Sequence, residues 1–270
     1  MTNYICKTCG TQCGSTRVRP TRCRICSNDR QYEDWEGQQW TTLEEMRGQG
    51  FKNAITPIRR GLHQIITKPS FGIGQRALLA KTDSGNILWD CVTYLDDDTI
   101  STIKGLGGID RIAVSHPHFY SAITEWSEAF GNVTIYLHHL NREWVQRKSS
   151  AIVYWKGKAL TLLPGAEVIN LGGHFPGSCV LHLRGQGFGK GVLLSGDTIY
   201  VVMDRRWVSF MYSFPNYLPL PAGKVREIAS RIGRYEFEDI LSGFEGREII
   251  GDADSAVQSS AKRYISHLRN

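Results

Sequence analysis

The sequence predicts an α+β fold, in which a sheet-rich domain with a few covering helices follows a small module held together by cysteines. Three observations predict it. Five of the seven cysteines crowd the first 26 residues in paired spacing, short apolar runs separated by turn residues recur from residue 51 onward, and helical periodicity is confined to a few segments. Each element follows from its own residues.

A chain of 270 residues is long enough to bury a sizeable core, and a composition 41% hydrophobic and 21% charged is ordinary for a soluble protein. No run approaches the ~18 uninterrupted apolar residues that a bilayer span needs, and the start, Met1-Thr2-Asn3-Tyr4-Ile5-Cys6, lacks the basic and then apolar pattern of a signal peptide. A cytoplasmic protein with no membrane partner is expected. Cysteine use agrees, because the N-terminal set reads as metal ligands and not as disulfides, while Cys91 and Cys179 stand alone in apolar surroundings.

Residues 1–30 carry Cys6-Lys7-Thr8-Cys9-Gly10 and Cys23-Arg24-Ile25-Cys26, with residues 10–22 between the hooks. Four thiolates close a tetrahedral zinc site that can fold a segment too small for a core of its own. The spacing resembles a rubredoxin-like zinc ribbon, with Cys6, Cys9, Cys23 and Cys26 holding a structural zinc. Cys13 is then a spare thiol, and Ser27 stands where such knuckles often carry glycine. Lys7, Arg17, Arg19, Arg22, Arg24 and Arg30 oppose Asp29 alone, so five of the chain's six net positive charges lie in this ribbon. A basic ribbon can touch nucleic acid, an acidic partner protein or an anionic substrate. The lack of aromatic residues between the hooks favours a solvated module over a nucleic-acid surface.

Residues 31–50 turn polar and lose periodicity, which predicts a connector with a short helix near residues 42–47, boxed by Thr42 and Glu45. Trp35 and Trp40 are expected to pin the ribbon to the main domain, residues 51–270. There, runs at 62–67, 76–81 and 86–91, the last preceded by Asp83-Ser84-Gly85, predict antiparallel strands and hairpins. Residues 98–106 predict a helix stopped by Gly107-Gly108, 109–114 a strand, 122–130 an amphipathic helix closed by Gly131, and 133–137 another strand.

The strand at 109–114 opens into Ser115-His116-Pro117-His118, and two imidazoles two residues apart at a strand end can converge on one metal ion. Two later strand ends add to this. Residues 168–171 open into Gly172-Gly173-His174, and 191–195 into Gly196-Asp197-Thr198, each delivering one ligand where small residues let the backbone crowd an ion. His116, His118, His174 and Asp197 form a nitrogen and oxygen donor set suited to zinc and, with fewer histidines engaged, to ferrous iron. Asp90, at the end of the run 87–90, is placed either to fix an imidazole tautomer or to serve as a turn or cap residue. His138 and His139 lie on no ligand loop and read as polar surface or core residues.

The order His-x-His, Gly-Gly-His and Ser-Gly-Asp-Thr within residues 51–270 resembles the metallo-β-lactamase superfamily of metallohydrolases. The resemblance implies an αββα sandwich with the metal site at one edge of the two sheets. It also implies hydrolysis of an ester, thioester, lactone, β-lactam or phosphodiester in a small-molecule substrate. The superfamily's first motif usually continues with an aspartate and a histidine for a second ion, but here Tyr120 and Ser121 hold those positions. Phe244 stands where the last histidine would fall. A mononuclear site remains, and Glu125 and Glu245 are the carboxylates that could substitute for a missing ligand.

The expected chemistry is attack by a metal-bound water on an ester, thioester, lactone or related bond, with Zn or Fe in the active site. Asp197 would orient that water or take its proton, and Tyr120 would hydrogen-bond the oxyanion. Two alternatives stand beside it. One is a mononuclear iron dioxygenase of the persulfide dioxygenase type, built on His116, His174 and Asp197. The other is a non-catalytic binding module acting through the basic zinc ribbon.

After Asp197, residues 198–203 predict a strand, and 204–220 an aromatic, proline-studded loop in which Phe210, Tyr212, Phe214 and Tyr217 can wall a pocket. Arg205 or Arg206 would grip a substrate anion there. Helices at 222–233 and 254–267 are expected to cover one sheet.

Overall fold

Two sheets packed face to face, each backed by helices, organise the computed structural model, which describes residues 1–268 except residue 186. The first sheet holds seven strands in chain order: Lys52–Arg59, Leu62–Lys68, Arg76–Thr82, Gly85–Trp89, Arg111–Ala113, Ile135–His138 and Ile152–Trp155. Its first four strands pair antiparallel through short hairpins, and the pairings from Gly85–Trp89 onward are parallel. Parallel pairing demands crossovers, which the helices Asp97–Gly105 and Ile123–Ala129 supply. Asp96 caps the first of these by accepting a hydrogen bond from the Thr99 amide at 2.8 Å.

The second sheet runs Ala159–Leu163, Ala166–Asn170, Cys179–Leu183, Val192–Gly196, Asp239–Ser242, Glu248–Ile249. Cys179–Leu183 and Val192–Gly196 are buried at every position. Continuous apolar runs of that kind form where both faces of a sheet are covered. Val192–Gly196 pairs parallel with Asp239–Ser242, and helix Ala222–Ile232 lies in the crossover. It buries Val225, Ile228, Ala229 and Ile232, a helical stripe, against the outer face of this sheet, where Val257 and Ala261 of helix Ala253–His267 join them.

Three apolar layers result. Leu78, Trp89 and Ala113 meet Leu181, Leu194 and Leu241 between the sheets; Ile103, Ile123 and Trp126 cover the outside of the first sheet; the C-terminal helices cover the outside of the second. This is the αββα sandwich. The helices at 222–233 and 254–267 do share one sheet, as expected. The strand expected at 198–203 shortens to Tyr200–Val201, paired with Val208–Ser209, because Val202 and Asp204 already bond Trp207 in a tight turn.

In the ribbon, Ile5–Cys6 pairs with Trp40–Thr41, and the Gln38 amide reaches the Cys6 Sγ at 3.2 Å. Residues 38–41, read as connector from sequence, therefore close the ribbon. Helix Leu43–Gly48 follows with both hydrogen bonds of the Thr42–Glu45 box in place. Of the two tryptophans expected to anchor the ribbon, Trp40 is buried with the cysteines, where Trp144 of the main domain packs, whereas Trp35 is fully exposed and anchors nothing.

Candidate metal centre

Three strand ends, carrying four ligands, converge at one edge of the sandwich. Arg111–Ala113 leads into Ser115 and a single 3-10 turn at Pro117–Phe119, which swings His116 and His118 onto the same side. Ala166–Asn170 leads into the loop of His174, and Val192–Gly196 into Asp197. Gly196 adopts φ +52°, and a Cβ there would collide with the Ser115 hydroxyl, so glycine lets two ligand-bearing strand ends touch.

The four side chains are buried, and their donor atoms all lie within 4.8 Å of one another. The imidazole centroids of His116, His118 and His174 stand 4.8 to 5.1 Å apart. Their tautomers follow from their partners. His116 Nδ1 meets the Ser115 hydroxyl at 2.8 Å, and His174 Nδ1 donates to the Met211 carbonyl at 3.1 Å, so both rings turn Nε2 inward. His118 Nδ1 lies 3.2 Å from His174 Nε2, and Asp197 Oδ2 lies 3.5 Å from His116 Nε2.

Two of these atoms, His116 Nε2 and Asp197 Oδ1, are buried without a hydrogen-bond partner among the described residues. Orphaned lone pairs facing one point are costly unless a cation satisfies them, so the donor set fits a metal ion. Burial holds His116 and His174 down to about 3 and His118 well below its ordinary value, which keeps all three neutral and able to ligate. Burial pushes Asp197 up to about 6, with His174 opposing the rise.

Asp90 does not touch an imidazole. Its Oδ1 accepts the Ser115 amide at 2.7 Å, and Ser115 in turn contacts His116, so Asp90 positions the ligand at one remove. It sits at φ 60°, fully buried, and burial pushes it up to about 8.

The ribbon forms the second cluster. The Sγ atoms of Cys6 and Cys26, and of Cys9 and Cys23, are 3.6 Å apart, far beyond a disulfide and close to the ~3.8 Å edge of a tetrahedron with ~2.3 Å metal–sulfur bonds. Cys13 stands outside this cluster, its thiol pushed up to about 12 by burial, as befits a spare.

A cavity of about 440 Å³ opens over His118, His174 and Asp197, with Ile73, Tyr200, Phe214, Pro215 and Phe244 on its apolar walls and Arg30, Gln31 and Tyr32 completing it. That size suits a small molecule. A second cavity of about 330 Å³, between Trp207 and Tyr264, contains none of the clustered donors.

Several expected roles move. Tyr120 is buried with its hydroxyl 3.4 Å from the Asn141 carbonyl, and it does not line the cavity, so the oxyanion role expected of it lacks the geometry; the tyrosines in the cavity wall are Tyr32 and Tyr200. Arg205 and Arg206 are exposed, with Arg206 paired to Asp204, and the cation in the cavity wall is Arg30. Glu125 pairs with Arg147 and Glu245 with Lys68, so neither replaces a ligand. His138 is buried against the Gly157 carbonyl at 3.1 Å and lies outside both clusters.

The metallo-β-lactamase superfamily profile matches residues 72–243, which contain all four converging ligands. The chain belongs to the metallo-β-lactamase superfamily. Solved structures share the fold of this superfamily domain. VMB-1 superposes with a TM-score of 0.60 at 16% identity, covering 80% of this chain and 98% of that one. A metallo-β-lactamase from Pontibacter korlensis superposes with a TM-score of 0.57 at 16% identity, covering 81% and 100%. The uncharacterized protein YmaE of Bacillus subtilis (strain 168) is 48% identical over 271 residues, covering all of this chain and 98% of its own length, so the resemblance there includes the ribbon. Among the described residues no helix is long and apolar enough to cross a membrane.

Where the superfamily resemblance would place ligands of a second ion, other tasks occupy the side chains. Ser121 Oγ donates to the Cys91 carbonyl at 3.1 Å and accepts from Gln75 at 2.7 Å, while its own carbonyl accepts the Gln12 amide of the ribbon at 3.0 Å. Phe244 packs edge-on against Phe119, 6.0 Å between centroids.

Proposed function

We propose that this superfamily member is a mononuclear metal-dependent hydrolase of an ester, thioester or lactone in a small-molecule substrate. The observation that carries the reading is the convergence of His116, His118, His174 and Asp197 on the floor of a small-molecule cavity, beside Tyr120, Ser121 and Phe244 engaged elsewhere. Three inward imidazole nitrogens and one carboxylate favour zinc. The four ribbon thiolates favour a structural zinc of their own.

A divalent ion held by the four residues would supply Lewis-acid polarisation and an acidified water. The chain's own residues do the rest. Asp197 Oδ1, the unpaired carboxylate oxygen, is placed to orient a water and take its proton. Ser115 and the Met211 carbonyl hold the two imidazoles in their inward tautomers. Ile73, Phe214 and Phe244 exclude bulk water from the reacting bond.

The iron dioxygenase alternative engages two histidines and the aspartate. Here His118 Nδ1 converges as closely as the others, 3.2 Å from His174 Nε2, which supports the three-histidine hydrolase set. The binding-module alternative draws on the ribbon's charge, yet Arg22 pairs with Glu33, Arg24 with Glu143, and Arg30 lines the cavity. The test is metal analysis and turnover. Two equivalents of zinc per chain are expected, with His174→Ala losing one equivalent and all hydrolysis of aryl ester and thioester probes. Iron at the histidine site with oxygen consumption and no hydrolysis overturns the reading.

A further inference from the structure

Arg30 follows the second cysteine hook and leaves the ribbon for the main domain's cavity. Its side chain is only 14% exposed, and its guanidinium carbon lies 4.7 Å from the Phe175 ring and 4.1 Å from the Tyr212 ring. Stacking between two aromatic faces fixes the plane of the fork. Nε donates to the carbonyl of the ligand His174 at 2.5 Å, and Nη1 donates to Asn28 Oδ1 at 3.2 Å. Nη2 has no protein acceptor among the described residues, and Arg30 is part of the cavity wall.

The segment around it is held from both sides. Tyr212 donates to both Asp29 carboxylate oxygens at 2.9 Å, and the Asn216 amide reaches the carbonyls of Asp29 and Gln31 at 3.0 and 3.2 Å. Asp29 lies 3.7 Å from Arg30 Nη1, but its carboxylate is 65% exposed and turned to Tyr212, so it screens the guanidinium weakly. Next along the chain, Gln31 is 95% buried in the same wall; its Oε1 is sealed without a donor, and its Nε2 donates no hydrogen bond among the described residues. A guanidinium edge and an amide N–H group, both without protein acceptors, line the same cavity from consecutive residues.

We propose that Arg30 and Gln31, both contributed by the ribbon side of the chain, are the substrate-recognition pair of the metal-centre cavity, and that they select substrates bearing a carboxylate beside the scissile bond. The proposal rests on the hydrolase reading for the bond that is cleaved, but not for the anion that is bound. The remaining guanidinium edge, supplemented by the Gln31 Nε2 donor, matches a singly charged, planar carboxylate. A phosphate dianion would call for more donors than the wall holds, since among the described residues Arg30 is the only Lys or Arg lining it. The apolar body of the substrate would lie against Phe214 and Phe244. The ribbon is then part of the active site, and its metal sets the position of the recognition pair.

The test uses the full-length, zinc-loaded protein and two probes that differ by one carboxylate, 4-nitrophenyl propionate and the 4-nitrophenyl half-ester of succinate. The wild type should prefer the half-ester in kcat/KM. Arg30→Met should reduce that preference about tenfold or more, the effect of removing a charge-assisted hydrogen bond, and Arg30→Lys should restore part of it. Gln31→Glu, which sets a like charge against the substrate, should also reduce it and decides the matter if Arg30→Met fails to fold. Both probes slowing equally in Arg30→Met, or a wild type indifferent to the carboxylate, overturns the proposal.

If neither ester is cleaved, the hydrolase reading fails by itself, and binding is then measured by calorimetry with phenylacetate and phenylacetamide. A carboxylate preference lost in Arg30→Met sustains the recognition pair without the hydrolase. No preference, or one that survives the substitution, overturns it.

Discussion

The two metal-binding clusters of this chain share their arithmetic, four buried donors within 4.8 Å, and differ in what surrounds them. The cysteine cluster is sealed, with Trp40, Ile25 and the Gln38 side chain closing over its buried sulfurs. The histidine cluster sits at the floor of a cavity of about 440 Å³, with a carboxylate oxygen left unpaired. A closed coordination shell holds a fold together, whereas an open one leaves a position for chemistry. The difference teaches that the same number of donors serves architecture or reaction according to the access that the surrounding packing allows.

Substitutions break the comparison at different places. The largest effect is expected from Cys9→Ser, because structural zinc sites contribute on the order of 10 kcal/mol to folding small modules, and loss of one thiolate forfeits much of that. One metal equivalent should be lost, and activity should fall as well, since Arg30 and Gln31 go with the ribbon. Metal analysis with a denaturant titration reads both; full activity in a ribbon without metal would separate the two clusters.

His116→Ala should do the reverse. It should remove the other equivalent and reduce hydrolysis by ~10³-fold or more, the several kcal/mol of transition-state stabilisation that a Lewis acid supplies, while the ribbon keeps its metal. Equal loss of both ions would show that the clusters form one cooperative unit.

A smaller effect tests how the open site is held. Burial raises Asp90 to about 8, well above its unfolded value near ~3.9, so the native state retains a proton that the unfolded chain gives up between those values. Its contribution to the stability of the metal-stripped protein is therefore full below about pH 4 and declines as pH rises toward 8, by at most ~1.4 kcal/mol per pH unit. Asp90→Asn should flatten that decline in denaturant titrations across the window. An unchanged pH profile would place the titration elsewhere. The smallest effect belongs to Thr42→Ala, which removes half of the box beyond the sealed cluster and should cost ~1 kcal/mol, readable as a shift of the denaturation midpoint with metal content unchanged.

The ligands were legible in the sequence because each obeys a local rule. A metal-binding strand end is a short apolar run followed by small residues and a donor, and residues 109–118, 168–174 and 191–197 satisfy it independently. The paired cysteines, Thr42 with Glu45, and the helix at 222–233 are equally local. Tyr120 was misplaced because adjacency in sequence to His118 says nothing of direction after a 3-10 turn. Arg205 and Arg206 looked suited to an anion because they follow the Asp197 strand, yet the hairpin they occupy turns them to solvent.

By itself the sequence determined the two donor sets and the alternation of strands and helices that builds the sandwich, since residue type and short-range spacing decide these, and its resemblance to the superfamily implied the lack of the second ion's usual ligands. Only the tertiary structure decided which cluster is open, that Ser121 joins the ribbon to the site through Gln12, and that Arg30 crosses to His174. The physical reason is that access and orientation come from contacts between segments 50 to 190 residues apart, such as Arg30 with His174, |i−j| = 144, and Asp29 with Tyr212, |i−j| = 183, and such contacts are fixed by packing and carry no local signature.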